Sequence, residues 1–142
     1  MKKIFLIFGV VTALASCKTT THVKTSNKVR VQPDLDNTAW SLIGDGQRRI
    51  PTLHIKGKKI NGNTGCNNYF GTITTEASSG AFSVGKIGST KMACPNPDAE
   101  QNFLSLLQKT NKYVINGDNL ELYQAETLLL KFHVAESSHI VK

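Results

Sequence analysis

The chain is poor in the residue types from which catalytic and metal sites are usually built. Its 142 residues hold three cysteines, four histidines and ten acids. No Cys-x-x-Cys spacing occurs, and His54 and His133 fall in alternating runs where an imidazole is commonly a surface or packing residue, so no metal ligand set is expected. Paired carboxylates, a Ser-His-Asp order and a phosphate-cradling glycine loop are all missing, which argues against a hydrolase or a nucleotide enzyme. Acids are outnumbered by 17 Lys and Arg, giving a net charge of +7, yet no basic stripe is interleaved with aromatics. A nucleic-acid partner is therefore not expected. No internal repeat is present.

One long apolar run exists, and it lies at the start. MKKIFLIFGVVTALASC has a basic opening at Lys2 and Lys3 followed by an apolar stretch from Ile4 to Leu14. It is too short for a permanent transmembrane helix and reads as a secretory signal over residues 1–16. Leu14-Ala15-Ser16-Cys17 resembles the lipobox of bacterial lipoproteins. That resemblance implies cleavage before Cys17 and acylation of its sulfur and its new amino terminus. Several acyl chains on one residue make a durable membrane anchor. Lys18 follows, where some lipoproteins carry the aspartate that retains them at the inner membrane, so the outer membrane is the expected address.

Cleavage leaves 142 − 16 = 126 residues, room for one domain with a modest core. Residues 17–37 are rich in Thr, Lys, Ser and Asn and read as the anchor and a flexible linker, with a reach of about 25 Å. Lys18, Lys24, Lys28 and Arg30 concentrate positive charge there, suited to anionic head groups. From Thr38 onward eleven Lys and Arg face eight Asp and Glu, so the excess of charge belongs more to the linker than to the domain. The domain is expected over residues 38–136, followed by a tail over 137–142.

Within the domain, short apolar runs are broken by turn signals, the pattern of an antiparallel β fold. Strands are predicted around Thr38–Ile43, Thr52–Lys56, Lys59–Ile60, Ala81–Ile87, Lys112–Asn116 and Leu128–Phe132. Asn116-Gly117 tolerates the positive φ of a tight hairpin leading to Leu120 and Leu122. One segment departs from the period of two. Asn96 is placed to cap a helix, Pro97 to occupy its first position, and Asp98 and Glu100 to face the positive end of its dipole. Phe103, Leu104, Leu106 and Leu107 then share an apolar face, predicting a helix over about 97–109 that covers an open end of the sheet.

The run INGNTGCNNYFGT, residues 60–72, is dense in glycine and asparagine. Gly62, Gly65 and Gly71 suit a sharp bend in a strand, by positive φ or by close backbone approach, and Asn67 and Asn68 can satisfy backbone groups that the bend strips of ladder partners. Tyr69 and Phe70 resume the strand. Thr90, Met92 and Cys94 are expected to line one face of a neighbouring strand. With Cys17 acylated, Cys66 and Cys94 remain in an exported chain, where they could bridge, be buried singly, or include a nucleophile.

The order Trp40, Pro51-Thr52-Leu53, Ile60-Asn61-Gly62, Gly65-Cys66-Asn67, Tyr69-Phe70-Gly71, Ser89-Thr90-Lys91-Met92-Ala93-Cys94, Glu100 and the Phe103/Leu107 helix resembles the META domain, or HslJ-like, family over about residues 36–134. The resemblance implies a mainly β, compact, antiparallel barrel-like domain with one packed α-helix, found in envelope lipoproteins of which some are heat-inducible. It implies no agreed enzymatic activity and no cofactor. Two functions of different class follow as expectations. One is a monomeric, non-catalytic envelope protein that supports assembly or stress resistance by binding another protein; the other is a carrier of a small apolar guest in the barrel mouth.

Overall fold

Alternation of large apolar and polar side chains sets the architecture. A computed structural model describes residues 31–44 and 49–135; the signal segment, Cys17, most of the linker and the 137–142 tail lie outside the described residues. Nine strands and one helix follow in the order β1 (Thr38–Leu42), β2 (Thr52–Lys56), β3 (Lys59–Asn63), β4 (Asn68–Glu76), β5 (Ala81–Val84), β6 (Gly88–Ser89), α1 (Pro97–Lys109), β7 (Lys112–Asn116), β8 (Asn119–Gln124) and β9 (Thr127–Val134). Every strand pairing is antiparallel. The sheet order is β3-β2-β1-β9-β8-β7-β5-β4-β6, and β3 also pairs with β4, so the pairings close into a ring with β6 as a short flap on β4.

Inward residues fill the ring. Leu53, Ile60, Tyr69, Phe82, Tyr113, Leu120, Leu122 and Phe132 are almost wholly buried. Tyr113 stacks obliquely on Phe82, with centroids 6.2 Å apart. The Tyr69 hydroxyl donates to the Thr52 carbonyl at 2.7 Å, and burial pushes its phenol pKa well above the ordinary value. On β8, Glu121 sits opposite Lys131 of β9, whose ammonium lies 2.9 Å away, and it accepts from the Tyr123 hydroxyl at 2.7 Å. Both interactions, the lysine's first, hold the Glu121 carboxyl below the usual carboxylate range.

α1 forms over the residues its sequence predicts. The Asn96 side chain accepts from Ala99 N at 3.2 Å, with Pro97 at the start of the helix. At the other end, Thr110 leaves the helix in an extended conformation, and its hydroxyl donates to Leu107 O at 2.7 Å. Phe103 and Leu107 enter the core as α1 packs against β5 and β9. The Phe103 ring lies edge-on between Tyr69 at 5.7 Å and Phe132 at 6.4 Å, so the helix is fastened to β4 and β9 through this aromatic cluster.

Two segments differ from their expected form. Leu35 lies in the polar stretch read as linker, yet it is buried at 1% exposure, and the Tyr113 hydroxyl donates to Pro33 O at 3.0 Å. Packing around this one large apolar residue therefore extends the ordered domain before Thr38. The strand expected through Thr90, Met92 and Cys94 stops at Ser89. Thr90 N still reaches the Asn68 carbonyl, but Met92 N turns to the Asn67 side chain in place of a ladder partner, and Met92 is 57% exposed.

Candidate functional site

The bend between β3 and β4 is built from short polar side chains. At Gly62 a Cβ would fall 2.0 Å from the Thr52 carbonyl oxygen, so only glycine allows β2 this close. Gly65 has φ +96°, a left-handed conformation, and its amide donates to Asn63 Oδ1 at 2.7 Å. The Thr64 hydroxyl accepts from Asn67 N at 3.0 Å, while Thr64 N donates to Asn67 O at 2.8 Å. These bonds close a four-residue loop over Thr64 to Asn67 and aim the side chains of Cys66 and Asn67 at the segment after β6.

Asn67 is the hub of that arrangement, buried at 4% exposure. Its Oδ1 accepts from the Thr90 hydroxyl at 2.7 Å and from Met92 N at 2.8 Å. The Met92 amide can only donate, which fixes the orientation of the Asn67 amide. Nδ2 then donates to Glu100 Oε2 on α1 at 2.8 Å and points at Cys94 Sγ at 3.1 Å. One side chain thus joins the loop, the post-β6 segment and the helix.

Cys66 and Cys94 are bridged, with Cα atoms 6.0 Å apart. Glu100 Oε2 lies 3.4 Å from Cys94 Sγ, but a bridged sulfur carries no proton, so this is a contact and not a hydrogen bond. Cys66, Cys94 and Glu100 cluster within 4.8 Å, a set that offers thiolate ligands only when the bridge is open. The structure therefore brings Gly65, Cys66, Asn67, Thr90, Met92 and Cys94 of the sequence motif to one end of the sheet. Tyr69 faces the core instead, and Gly71 lies up β4 against the backbone of Lys86.

Two clefts flank this cluster. One, of about 700 Å³, lies over the disulfide between Arg49, Gly65, Met92 and Asn96. The other, of about 560 Å³, runs between the segment Ser89–Met92 and the helix positions Pro97, Gln101, Leu104, Ser105 and Gln108. Thr90 N donates to Asn68 O at 3.0 Å, which makes Asn68 and Thr90 a hydrogen-bonded pair. By antiparallel alternation Ser89, opposite Tyr69, is a non-hydrogen-bonded pair. Its N–H and C=O therefore point away from β4, on the free edge of β6.

Sequence reasoning alone misses Thr64 and Asn63 as loop-forming residues, and it gives Glu100 a place in the family motif and at the helix dipole but no contact with Asn67. The spacing Glu100, Leu104, Leu107 is the signal that places Glu100 near the inward side of the helix. Asn67→Ala is expected to strand the Met92 amide and the Thr90 hydroxyl and to lower stability by about 1–3 kcal/mol in urea unfolding. A melt unchanged from the parent would show that water replaces those bonds freely.

The META domain family matches residues 33–137, and the chain belongs to that family. Among solved structures, the fold is similar to that of a protein from Burkholderia xenovorans determined by NMR, with a TM-score of 0.60 and 23% identity over 75% of this chain and 93% of that one. It is also similar to a DUF4847 family protein from Bacteroides vulgatus, with a TM-score of 0.52 and 12% identity over 70% and 93% of the two chains. No curated protein matches the chain.

Proposed function

We propose that this chain is a lipid-anchored envelope protein that acts by binding another protein and not by catalysis, in support of envelope assembly or stress resistance. The observation carrying this reading is the free edge of β6 at Ser89, set in a cleft walled by α1. An extended segment of a partner polypeptide can add to such an edge through main-chain bonds, with Gln101, Ser105 and Gln108 available along its other side. The bridge occupies both sulfurs, and neither His54 nor His133 lines either cleft, which supports binding over chemistry. Large side chains fill the interior, so an apolar guest would have to lie in a surface cleft and not in a barrel mouth.

A photo-crosslinking residue at Gln101 should capture a protein partner in intact cells, whereas the same residue at Gln124 on β8 should not. Ser89→Pro removes the edge N–H and is expected to abolish the Gln101 product without shifting the melt by more than a few degrees, since an edge strand tolerates proline. Equal capture from both positions would overturn the cleft as the binding surface. The address has its own test. Cys17→Ser should leave the chain unlabelled by fatty acid, and persistent labelling would refute the anchor.

A further inference from the structure

We infer that the outer face of β2, β3 and β4 lies against an anionic lipid surface, an orientation that rests on the reading of Cys17 as an anchor. Lys56 and Lys59 are direct cross-strand partners, and Lys59 in turn is paired with Thr72 on β4. Lys58 O accepts from Ile73 N at 3.0 Å, and Gly85 N donates to Thr72 O at 2.9 Å, bringing Lys86 to the other side of the same strand. Four exposed lysines thus gather around one point of β4. Phe70, two residues before Thr72 and therefore on the same face, is 63% exposed and lies across Gly88.

The outward positions of this face are His54, Lys56, Lys59, Asn61, Asn68, Phe70, Thr72 and Thr74. None is acidic; Asp36 at the Gly57 turn and Glu76 at the end of β4 stand at its margin. The ion pairs among the described residues are Lys112–Glu126 and Lys131–Glu121, both on other strands. Two lysines set directly opposite repel each other and weaken a sheet. Phosphate head groups would turn that repulsion into attraction, while Phe70 enters the interfacial layer and the lysine stems lie along it. The chain enters the domain where Gln32 N donates to Ala77 O, at the end of β4 away from the clefts, and then passes these lysines where Asp36 accepts from Gly57 N. A tether starting at Cys17 therefore draws the Ala77 end of β4 toward the bilayer, and the disulfide with its two clefts lies at the opposite end, beyond Asn63 and Asn68.

The test uses the mature, acylated protein on vesicles of phosphatidylcholine alone or mixed with phosphatidylglycerol, with lysine acetylation read by mass spectrometry. Acetylation of Lys56, Lys58, Lys59 and Lys86 should slow by about fivefold on the anionic vesicles, the factor that one lysine's attraction to such a surface supplies. High salt should restore it, and Lys109 on α1 should react alike on both. Lys59→Glu with Lys86→Glu, both exposed, should melt as the parent does and lose the protection of Lys56. Equal labelling on the two vesicles, or protection of Lys91 and Lys109 instead, would overturn the proposal. So would protection seen only with an acidic protein or an oligonucleotide, which would assign the face to that partner. A chain found without acyl groups sinks the anchor reading; an acylated chain with unprotected lysines sinks this proposal alone.

Discussion

Leu107→Ala should lower the stability of the domain by about 2–5 kcal/mol, and Lys109→Ala, two residues on, by less than about 0.5 kcal/mol. Leu107 is wholly buried at the interface of α1 with the sheet, while Lys109 is exposed in the last turn. The truncation removes the transfer free energy of the side chain and leaves a cavity whose walls are held by β-strand hydrogen bonds and cannot collapse fully. Its neighbour Phe103 contacts both Tyr69 and Phe132, so loosening of the helix also loosens the aromatic contacts at the end of the ring. Urea unfolding with an unchanged m value is the measurement. Equal effects from the two substitutions would mean that the helix presents a different face to the sheet.

That helix was legible because each of its determinants is local. Asn96, Pro97 and the apolar residues at helical spacing act within a few positions of one another, and the same holds for Asn116-Gly117, where Gly117 has φ +59°. Alternation gave β1 and β2 for the same reason. The closure of the ring was not legible, because β5 meets β7 through the single register pair Ala81 and Lys112. No pattern in either strand names the other.

The candidate site divides along the same line. The need for glycine at residues 62 and 65 follows from backbone geometry and shows in the sequence, whereas the end of β6 depends on a side chain 25 residues away from the amide it binds. Thr64 and Asn63 looked like any loop residues because short polar side chains have the same composition signal whether they bond the backbone or water. Leu35 was lost in a polar context for the converse reason: one apolar residue makes no periodicity, yet it can still be buried. The sequence leaves the pairing of Cys66 with Cys94 as one of three readings; the fold selects it by bringing the β3–β4 bend and the post-β6 segment together.

Reduction of that bridge, or Cys66→Ala, should destabilise the domain by about 3.5 kcal/mol, a fall in Tm of roughly 15 °C. The cysteines are 28 positions apart, and the bridge restricts that loop, including all of β4 and β5, in the unfolded chain. The parent protein in reductant should melt with Cys66→Ala, and the variant should be insensitive to reductant. Cys94→Ala should be somewhat worse than Cys66→Ala, because it also deprives Asn67 Nδ2 of the sulfur 3.1 Å away. For residues this close the losses do not add: Asn67→Ala combined with Cys94→Ala should cost less than the sum of the two. The coupling would establish that Asn67 and the bridge hold the post-β6 segment jointly. Additive losses would make them independent fastenings, and a parent Tm indifferent to reductant would remove the bridge from the stability of the fold. Complementation then separates architecture from function: a variant that melts as the parent does but fails in a strain lacking the protein places Cys66 or Asn67 in the binding surface itself.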